Sequence, residues 1–423
     1  MTRSLLRFAA AVLVVGALLV ALIAWLNVRG EEPLDTAAST APASPEQIER
    51  GAYLAHAGNC LGCHTERGGA VYAGGRGVPT PFGTVFAPNL TPDATHGLGQ
   101  WTAAEFWRAL HHGRARDGRL LYPAFPYPNY TRVTRADSDA IFAYLRSLPA
   151  VAQANRPHEL QFPFNQQAAL AVWRALYFRP AAPEADATRS AEWNRGAYLV
   201  DGLGHCNACH ASRNALGATA SPLDLAGGLI PVQNWYAPSL TSPLEAGVAD
   251  WADADVVALL KTGVSARGAV MGPMSEVVSG STQHLSDPDL RAMAAYLKAL
   301  PQSDATRPPG SPAPADGPGA KLYDKHCAQC HGDQGEGAPG AYPALAGSRA
   351  VTMTSAANLV HVVLEGGFPP ATAGNPRPYG MPPFATVLSN EDVAALLTHL
   401  RGSWGNRAAP VSAVDVGRFR NAK

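Results

Sequence analysis

The sequence predicts a mainly α-helical protein in which three tandem domains follow a single N-terminal transmembrane helix. Three observations lead to this fold class. A Cys-x-x-Cys-His motif occurs three times, at residues 60–64, 206–210 and 327–331, and uses all six cysteines. Residues 8–26 form an apolar run without a charged side chain. Helical periodicity precedes each motif and returns near the end of each domain.

The N-terminal run has the length of a membrane-spanning helix. Its 19 residues, Phe8 to Leu26, approach the roughly 20 that cross a bilayer. Arg3 and Arg7 precede the run, so a signal-anchor at 1–29 is predicted to leave the N-terminus in the cytoplasm and the rest in the periplasm. A cleaved signal peptide is the alternative, but its apolar region usually has only about 7–15 residues. Either interpretation implies export.

The first two predicted domains, 44–150 and 189–300, repeat one pattern. Arg-Gly-Ala-Tyr-Leu begins at Arg50 in the first domain and at Arg195 in the second. The first motif cysteine follows this arginine by 10 positions (50 to 60) and by 11 positions (195 to 206). Closing helices are predicted at 137–148, 287–300 and 390–400, and the first two end before a proline.

The remaining segments connect or follow these domains. Residues 30–43 are predicted to be a tether. Residues 151–188 contain an amphipathic helix, interpreted as a strut packed between the first two domains, with a membrane-surface or partner helix as the alternative. A Pro-rich linker at 301–318 is expected to space the domains rather than to pack. The third domain then spans 319–402, and the tail at 403–423 lacks a clear pattern and is expected to be disordered.

Each Cys-x-x-Cys-His motif is an attachment signal for c-type haem. Its two thiols form thioethers with the haem, and its histidine ligates the iron. Zinc is a poor alternative because it needs four ligands, and a redox dithiol would need a βαβ context. Three covalently bound haem c groups are therefore predicted, attached through Cys60, Cys63, Cys206, Cys209, Cys327 and Cys330, with His64, His210 and His331 as iron ligands.

Methionines are candidate ligands on the opposite side of each iron, because a thioether sulfur favours Fe(II). Met381 is predicted for the third haem, since the prolines that follow it make its loop rigid. Met274 is predicted for the second haem, with Met271 as the alternative. Met293 and Met353 are interpreted as core residues.

The first domain contains no methionine. Phe125 stands where the aligned loop of the second domain has Met274, and a phenylalanine cannot ligate iron. The sixth ligand of the first haem is therefore predicted not to be methionine. A histidine, with His111 and His112 as candidates, and an open or water-bound site are the two alternatives.

These motifs resemble those of the triple-haem cytochrome c subunits of bacterial membrane-bound dehydrogenases for alcohols, gluconate, fructose and aldehydes. The resemblance reaches residue 402 and includes Ala-Pro-Asn-Leu-Thr at 87–91, Gly-Pro-Met at 272–274 and Gly-Met-Pro at 380–382. It implies three class-I-like cytochrome c domains in the periplasm, at the inner membrane. The Tyr-Pro-Ala-Phe-Pro-Tyr loop at 122–127 resembles subunits that accompany molybdenum-containing aldehyde or N-heterocycle dehydrogenases.

The resemblance also implies electron transfer, with no substrate chemistry in this chain alone. Its expected partners are a catalytic dehydrogenase subunit carrying a molybdenum, flavin or quinone cofactor, a small third subunit, and ubiquinone or a terminal oxidase that accepts the electrons. A net charge of zero implies no nucleic-acid partner. A peroxidase-like enzyme with an open first haem and a free electron shuttle are the alternative functions.

Overall fold

The computed structural model describes residues 3–34, 42–182, 184–221, 223–303 and 310–420. In these ranges the chain is mainly helical, with a few short antiparallel strands. It divides into one unit of residues 1–52 and 63–183 and another of residues 53–62 and 184–423.

The first unit combines the long apolar helix with most of the first predicted domain. Its helices are α1 (Arg3–Val28), α2 (Pro45–Ala57), α3 (Cys60–His64), α4 (Ala103–His112), α5 (Tyr127–Tyr130), α6 (Arg135–Ser147) and α7 (Gln167–Tyr177), where the end of α2 and the start of α3 belong to the second unit. Its antiparallel sheet has the order β1 (Gly77–Thr80), β2 (Gly83–Phe86), β3 (Glu159–Leu160). Among the described residues, α1 is the one helix long and apolar enough to cross a bilayer.

The second unit holds the second and third predicted domains together. Its α-helices are α8 (Ala191–Ala197), α9 (Asp253–Thr262), α10 (Pro273–Gly280), α11 (Asp287–Lys298), α12 (Pro318–His326), α13 (Ala328–His331), α14 (Arg349–Thr352), α15 (Ala357–Glu365), α16 (Asn390–Gly402) and α17 (Ala413–Arg420). Two-residue strands pair as β4 (Gly228–Leu229) with β5 (Tyr236–Ala237) and β6 (Val264–Ser265) with β7 (Gly268–Ala269). The three closing helices, α6, α11 and α16, are thus confirmed to within two residues at each end.

The same close helix crossing occurs three times. α2 crosses α6 at Gly51, α8 crosses α11 at Gly196, and α12 crosses α16 at Gly319. A Cβ atom on these glycines would lie 1.9, 2.0 and 2.2 Å from a carbonyl oxygen of the facing helix. Because only glycine lacks that atom, the backbones can touch here. Each helix that leads to a Cys-x-x-Cys-His motif is thereby fixed against the helix that closes the same domain.

Each of the first two crossings is stabilised by its own ion pair. Arg50 donates two hydrogen bonds to Asp137, at 2.8 and 2.5 Å. In the same way, Arg195 contacts both carboxylate oxygens of Asp289, at 2.8 and 2.7 Å. Charge-assisted bonds of this kind are stronger than neutral ones, which explains why the arginine directly precedes the crossing glycine in both copies.

The one-residue difference between the first two motifs is absorbed by a π-helix. After α8 the chain forms a π-helical turn at Tyr198–Leu203, whereas α2 continues as an α-helix to Ala57. A π-turn holds one more residue than the α-turn that it replaces. The extra position between Arg195 and Cys206 is therefore accommodated without moving the start of the helix.

The Pro-rich linker packs more closely than the sequence predicts. Ala313 donates its N–H to the carbonyl oxygen of Gly402 at 2.9 Å, and a Cβ on Gly310 would lie 2.0 Å from the carbonyl oxygen of Ala408. The expectation of a spacer that does not pack is wrong for residues 310–318. Positions 304–309 lie outside the described residues, as do positions 35–41 of the tether.

The expectation of a disordered tail is wrong up to residue 420. Helix α17 places Val416 in the core of the third domain with no exposed surface, next to Val411 and Phe419. Arg420 donates to the carbonyl oxygen of Leu388 at 2.8 Å. The apolar residues are too few to show periodicity in the sequence, but they cover the apolar side of α15 and α16.

We predict that Gly319→Ala lowers the free energy of unfolding of the third domain by about 3 kcal/mol, the upper end of the usual cost of overpacking. The new methyl group would meet backbone that cannot move without separating α12 from α16. Urea titration followed by haem absorbance measures the change.

The matched control is Gly317→Ala, two residues earlier. A Cβ there would have its nearest neighbour at an ordinary 3.4 Å, and the change of helix cap costs about 1 kcal/mol or less. Equal unfolding midpoints for the two variants would contradict the close crossing.

Candidate functional site

The histidine of each Cys-x-x-Cys-His motif is held by a proline carbonyl through its Nδ1 atom. A proline carbonyl only accepts hydrogen bonds, so Nδ1 carries the hydrogen and Nε2 keeps its lone pair. This tautomer is the one that ligates a metal, and a carbonyl partner on the other nitrogen orients the ring. The three Nδ1···O distances are 2.8 Å for His64 and Pro88, 2.7 Å for His210 and Pro238, and 3.0 Å for His331 and Pro343.

Burial favours the neutral form of these three imidazoles. It lowers the pKa of His64, His210 and His331 below the ordinary value, and the hydrogen bond to the carbonyl offsets only part of this effect. A protonated ring could not bind iron, so the environment favours the ligating form.

The motif cysteines form no disulfide. Burial raises the pKa of Cys206 to about 12 and the pKa of Cys327 to about 11, so both are thiols rather than thiolates at neutral pH. Two thiols followed by a neutral, oriented imidazole are the donor set that covalent haem attachment needs. The residues of each motif therefore fit haem c.

The loop at residues 379–384, called the Met381 loop, is held by backbone hydrogen bonds. Met381 donates its N–H to the carbonyl oxygen of Gly367 at 2.8 Å, and Gly367 donates back to Met381 at 3.0 Å. The side chain of Met381 packs against the core of the third domain. This bridge holds the methionine at the end of α15, in the domain that carries His331.

The segment at residues 270–274, called the Met274 loop, contains two methionines that have different environments. Met274 lies in the first turn of α10, after Gly272 with a φ of 58°. In contrast, Met271 reaches the third domain, because its Cε lies 3.2 Å from where a Cβ on Gly367 would stand. Met293 and Met353 are 4% and 5% exposed, so their interpretation as core residues is confirmed.

The Met274 and Met381 loops are also joined by aromatic rings. Trp235 lies 2.8 Å from where a Cβ on Gly272 would stand. It stacks on His361 of α15, with ring centroids 4.9 Å apart and planes 16° apart. In the second unit, the Met274 loop therefore lies beside Gly367, the residue whose backbone pairs with Met381.

One residue that the sequence analysis missed supports the ligand of the second motif. The side-chain amide of Asn358 accepts from the N–H of Tyr236 at 2.8 Å and donates to its carbonyl oxygen at 2.7 Å. Tyr236 lies two residues before Pro238, the partner of His210. The third domain thus holds the segment whose Pro238 carbonyl orients His210 of the second motif. A single asparagine 122 positions away from Tyr236 leaves no signal in the sequence.

The two histidine candidates lie at the end of α4. The loop at residues 121–127, which contains Phe125, begins beside them, because Leu121 donates its N–H to the carbonyl oxygen of Gly113 at 2.8 Å. His111 stacks on Trp107, with centroids 4.3 Å apart. Its Nδ1 is buried and has no hydrogen-bond partner among the described residues. The ring of Phe125 lies 5.4 Å from that of Tyr130.

His112 instead belongs to a polar cluster at the end of α1. Its side chain is buried, and burial together with the charges of Arg174, Arg114 and Arg108 lowers its pKa to about 4. Arg174 also donates to the carbonyl oxygen of His112 at 2.7 Å. The two neighbouring histidines therefore differ, since His111 has an uncommitted nitrogen and His112 faces arginines.

Comparison with known proteins identifies relatives along most of the chain. The cytochrome c family model matches residues 48–149 and 317–404, the regions of the first and third motifs. The cytochrome c subunit of a quinone alcohol dehydrogenase from Gluconacetobacter polyoxogenes is 39% identical over 91% of this chain and 86% of its own length. The gluconate 2-dehydrogenase cytochrome c subunit of Pantoea cypripedii is 37% identical over 88% and 89%.

A third relative has a different context. It is one of the subunits of a nicotinate dehydrogenase from Pseudomonas putida, and it is 41% identical over 85% of this chain. The matched region corresponds to 30% of that longer protein.

We predict that Asn358→Ala raises the reduction potential of the second haem by on the order of tens of millivolts. Loss of the clamp frees Pro238 and weakens the Nδ1 hydrogen bond of His210, so the imidazole becomes a poorer electron donor. Redox titration followed by electron paramagnetic resonance measures the shift for each haem. Asn165→Ala, at an exposed position of the first unit, should leave all potentials unchanged. An unchanged second potential in Asn358→Ala would show that the clamp has no effect on the ligand.

Proposed function

Because this chain belongs to the family of cytochrome c subunits of alcohol and gluconate dehydrogenases, we propose that it is a triple-haem electron-transfer subunit. It relays electrons from a periplasmic catalytic dehydrogenase subunit to the ubiquinone pool or to a terminal oxidase. The observation that carries the proposal is the threefold occurrence of one arrangement, a Cys-x-x-Cys-His histidine that donates from Nδ1 to a proline carbonyl. The three glycine crossings support three domains of one kind.

When bound, haem c supplies an iron that cycles between Fe(III) and Fe(II) and so carries one electron. The chain attaches each group through the cysteine pairs and keeps the histidines neutral and oriented. Met274 and Met381 are the proposed sulfur ligands of the second and third sites. The first site has no methionine. His111 is the better of its two histidine candidates, because the charges of Arg174, Arg114 and Arg108 act on His112. An open site is the alternative.

Contacts between the three motif regions support a relay in series. The residues that lead to Cys60 pack on α10, the helix whose first turn contains Met274. Nδ1 of His56 lies 3.3 Å from the carbonyl oxygen of Gly280, and Ser281 donates to Ala57 at 3.3 Å. The loop before α10 contacts the Met381 loop in turn. Since the third domain packs on the second, the fold does not favour a shuttle in which the third domain moves freely on its linker.

The end of α1 is built into the first unit, which supports an uncleaved inner-membrane anchor. Arg114 donates to the Glu31 carboxylate and to the carbonyl oxygen of Asn27, both at 3.0 Å. Arg174 donates to the side chain of Asn27 at 2.9 Å. Cleavage after these residues would remove three of these hydrogen bonds and leave Arg114 and Arg174 with their carbonyl acceptors at Gly118, His112 and Gly113. With Arg3 and Arg7 on the cytoplasmic side, the haem domains would face the periplasm.

The class of catalytic partner has two candidates. An alcohol or aldehyde dehydrogenase with a quinone or flavin cofactor agrees with the relatives from quinone alcohol and gluconate dehydrogenases. A molybdenum hydroxylase agrees with the Tyr-Pro-Ala-Phe-Pro-Tyr loop and with the relative from nicotinate dehydrogenase, since nicotinate is an N-heterocycle. A small third subunit would complete either complex.

Purification of the tagged chain from native membranes tests the function. We expect a catalytic dehydrogenase subunit to co-purify and three haems per chain in a pyridine haemochrome assay. Adding the partner's substrate should reduce the haems. A chain that purifies alone and consumes peroxide would instead support the enzyme with an open first haem.

We predict that Met274→Ala and Met271→Ala differ in their spectra. Loss of a sulfur ligand should remove about half of the ferric band at about 695 nm, because the proposal assigns a methionine to two of the three sites, and should lower the potential of one haem. Met271→Ala should keep the full band, because that side chain contacts Gly367 instead. Near-infrared absorption of the oxidised protein measures both variants, and the reverse result would assign Met271 as the ligand.

A further inference from the structure

Helix α7 exposes an apolar stripe. Ala168, Val172 and Leu176 are spaced by four residues and therefore share one face. Val172 is 44% exposed and Leu176 is 57% exposed. Phe162, in the segment just before α7, is 80% exposed. We call these four residues the α7 stripe.

The opposite face of α7 is packed within the first unit. Leu170, Ala175 and the following Phe178 are 5 to 6% exposed. Arg174 is also buried, where its guanidinium lies 4.8 Å from the ring of Phe178 and donates to His112. The helix thus has apolar side chains on both its buried and its exposed face, and Arg174 is the buried polar exception. This arrangement favours the membrane-surface or partner interpretation over a strut.

Polar bonds fix α7 to the last turn of α1. The side-chain amide of Asn27 donates to the carbonyl oxygen of Ala171 at 2.9 Å and accepts from Arg174 at 2.9 Å. Arg29 donates to the carbonyl oxygen of Phe178 at 3.1 Å. These bonds define where α7 lies along α1. It contacts the residues directly after the apolar run, which ends at Leu26.

These bonds place α7 at the level of the bilayer surface. The apolar run of α1 fills the hydrocarbon core, so Asn27 and the helix bound to it lie at the interface. Trp25, 59% exposed, is an aromatic residue of the kind found at that depth. An exposed apolar stripe at this level would enter the boundary between headgroups and acyl chains.

Two arginines at the end of α7 complement an anionic surface. Arg29 and Arg179 both donate to the carbonyl oxygen of Phe178, at 3.1 and 2.8 Å. Their guanidinium groups therefore converge on one acceptor, which leaves positive charge beside the stripe. Phosphate groups of lipids would interact favourably with this pair.

We propose that α7 is an in-plane membrane-binding helix, with the α7 stripe in the outer leaflet of the inner membrane and Arg29 and Arg179 at lipid phosphates. The inference rests on the proposed anchoring by α1. It assigns the first domain a second membrane contact that would prevent it from rotating about α1.

Cross-linking of the full-length holoprotein in nanodiscs made with a photoactivatable phosphatidylglycerol tests the proposal. We expect lipid adducts on α1 and on peptides covering 161–179. Adducts on α1 alone would overturn the role of α7 and leave the anchor intact. Absence of adducts on α1 would overturn the anchor, and with it this inference.

A variant makes the test specific to the stripe. Val172→Gln with Leu176→Gln should reduce the α7 adducts by at least roughly tenfold, because two large apolar side chains are lost and the burial of one alone corresponds to about that factor, while α1 adducts stay constant. The matched control Val414→Gln, at a valine that is 74% exposed, should change neither. Because all three side chains are exposed, folding should be unaffected, as unchanged haem content would verify. Equal α7 adducts in the double variant would refute the stripe.

Discussion

Each motif histidine must be neutral and must point Nε2 away from the protein backbone, and the rest of the structure serves this requirement. The Nδ1 hydrogen bond to a proline carbonyl satisfies it in all three cases. Such a bond needs the proline segment and the motif helix at a fixed separation. The glycine crossings at Gly51, Gly196 and Gly319 provide a rigid frame for the motif helices, because backbones in contact cannot slide without collision.

The second motif depends on more than its own domain. Asn358 binds both backbone groups of Tyr236, and the carbonyl that orients His210 follows two residues later. The third domain therefore supports the second motif and also carries the third motif. This dependence is consistent with the compact second unit and with a linker that packs at residues 310–318. In the proposed relay, it also keeps the Met274 and Met381 loops in contact.

The junction between α1 and the first unit has a comparable role. Asn27 and Glu31 stand where the apolar run ends, and Arg114 and Arg174 bind them. Arg174 is buried, so removal of Asn27 would leave one guanidinium N–H without an acceptor in the interior, which is costly. The same bonds align α7 with the end of α1. A single buried arginine thereby couples the anchor, the connecting helix and the helix that ends with His111 and His112.

The sequence by itself determined the three motifs, their histidines, the closing helices and the absence of methionine from the first domain. These features are local, because spacing and periodicity within about a dozen residues specify them. Only the tertiary structure decided that Met271 contacts Gly367, that Asn358 orients the Pro238 segment, and that the segments at 310–318 and 403–420 are packed. Each of these depends on residues far apart in the chain, whose contacts follow from how helices and loops meet rather than from a local pattern.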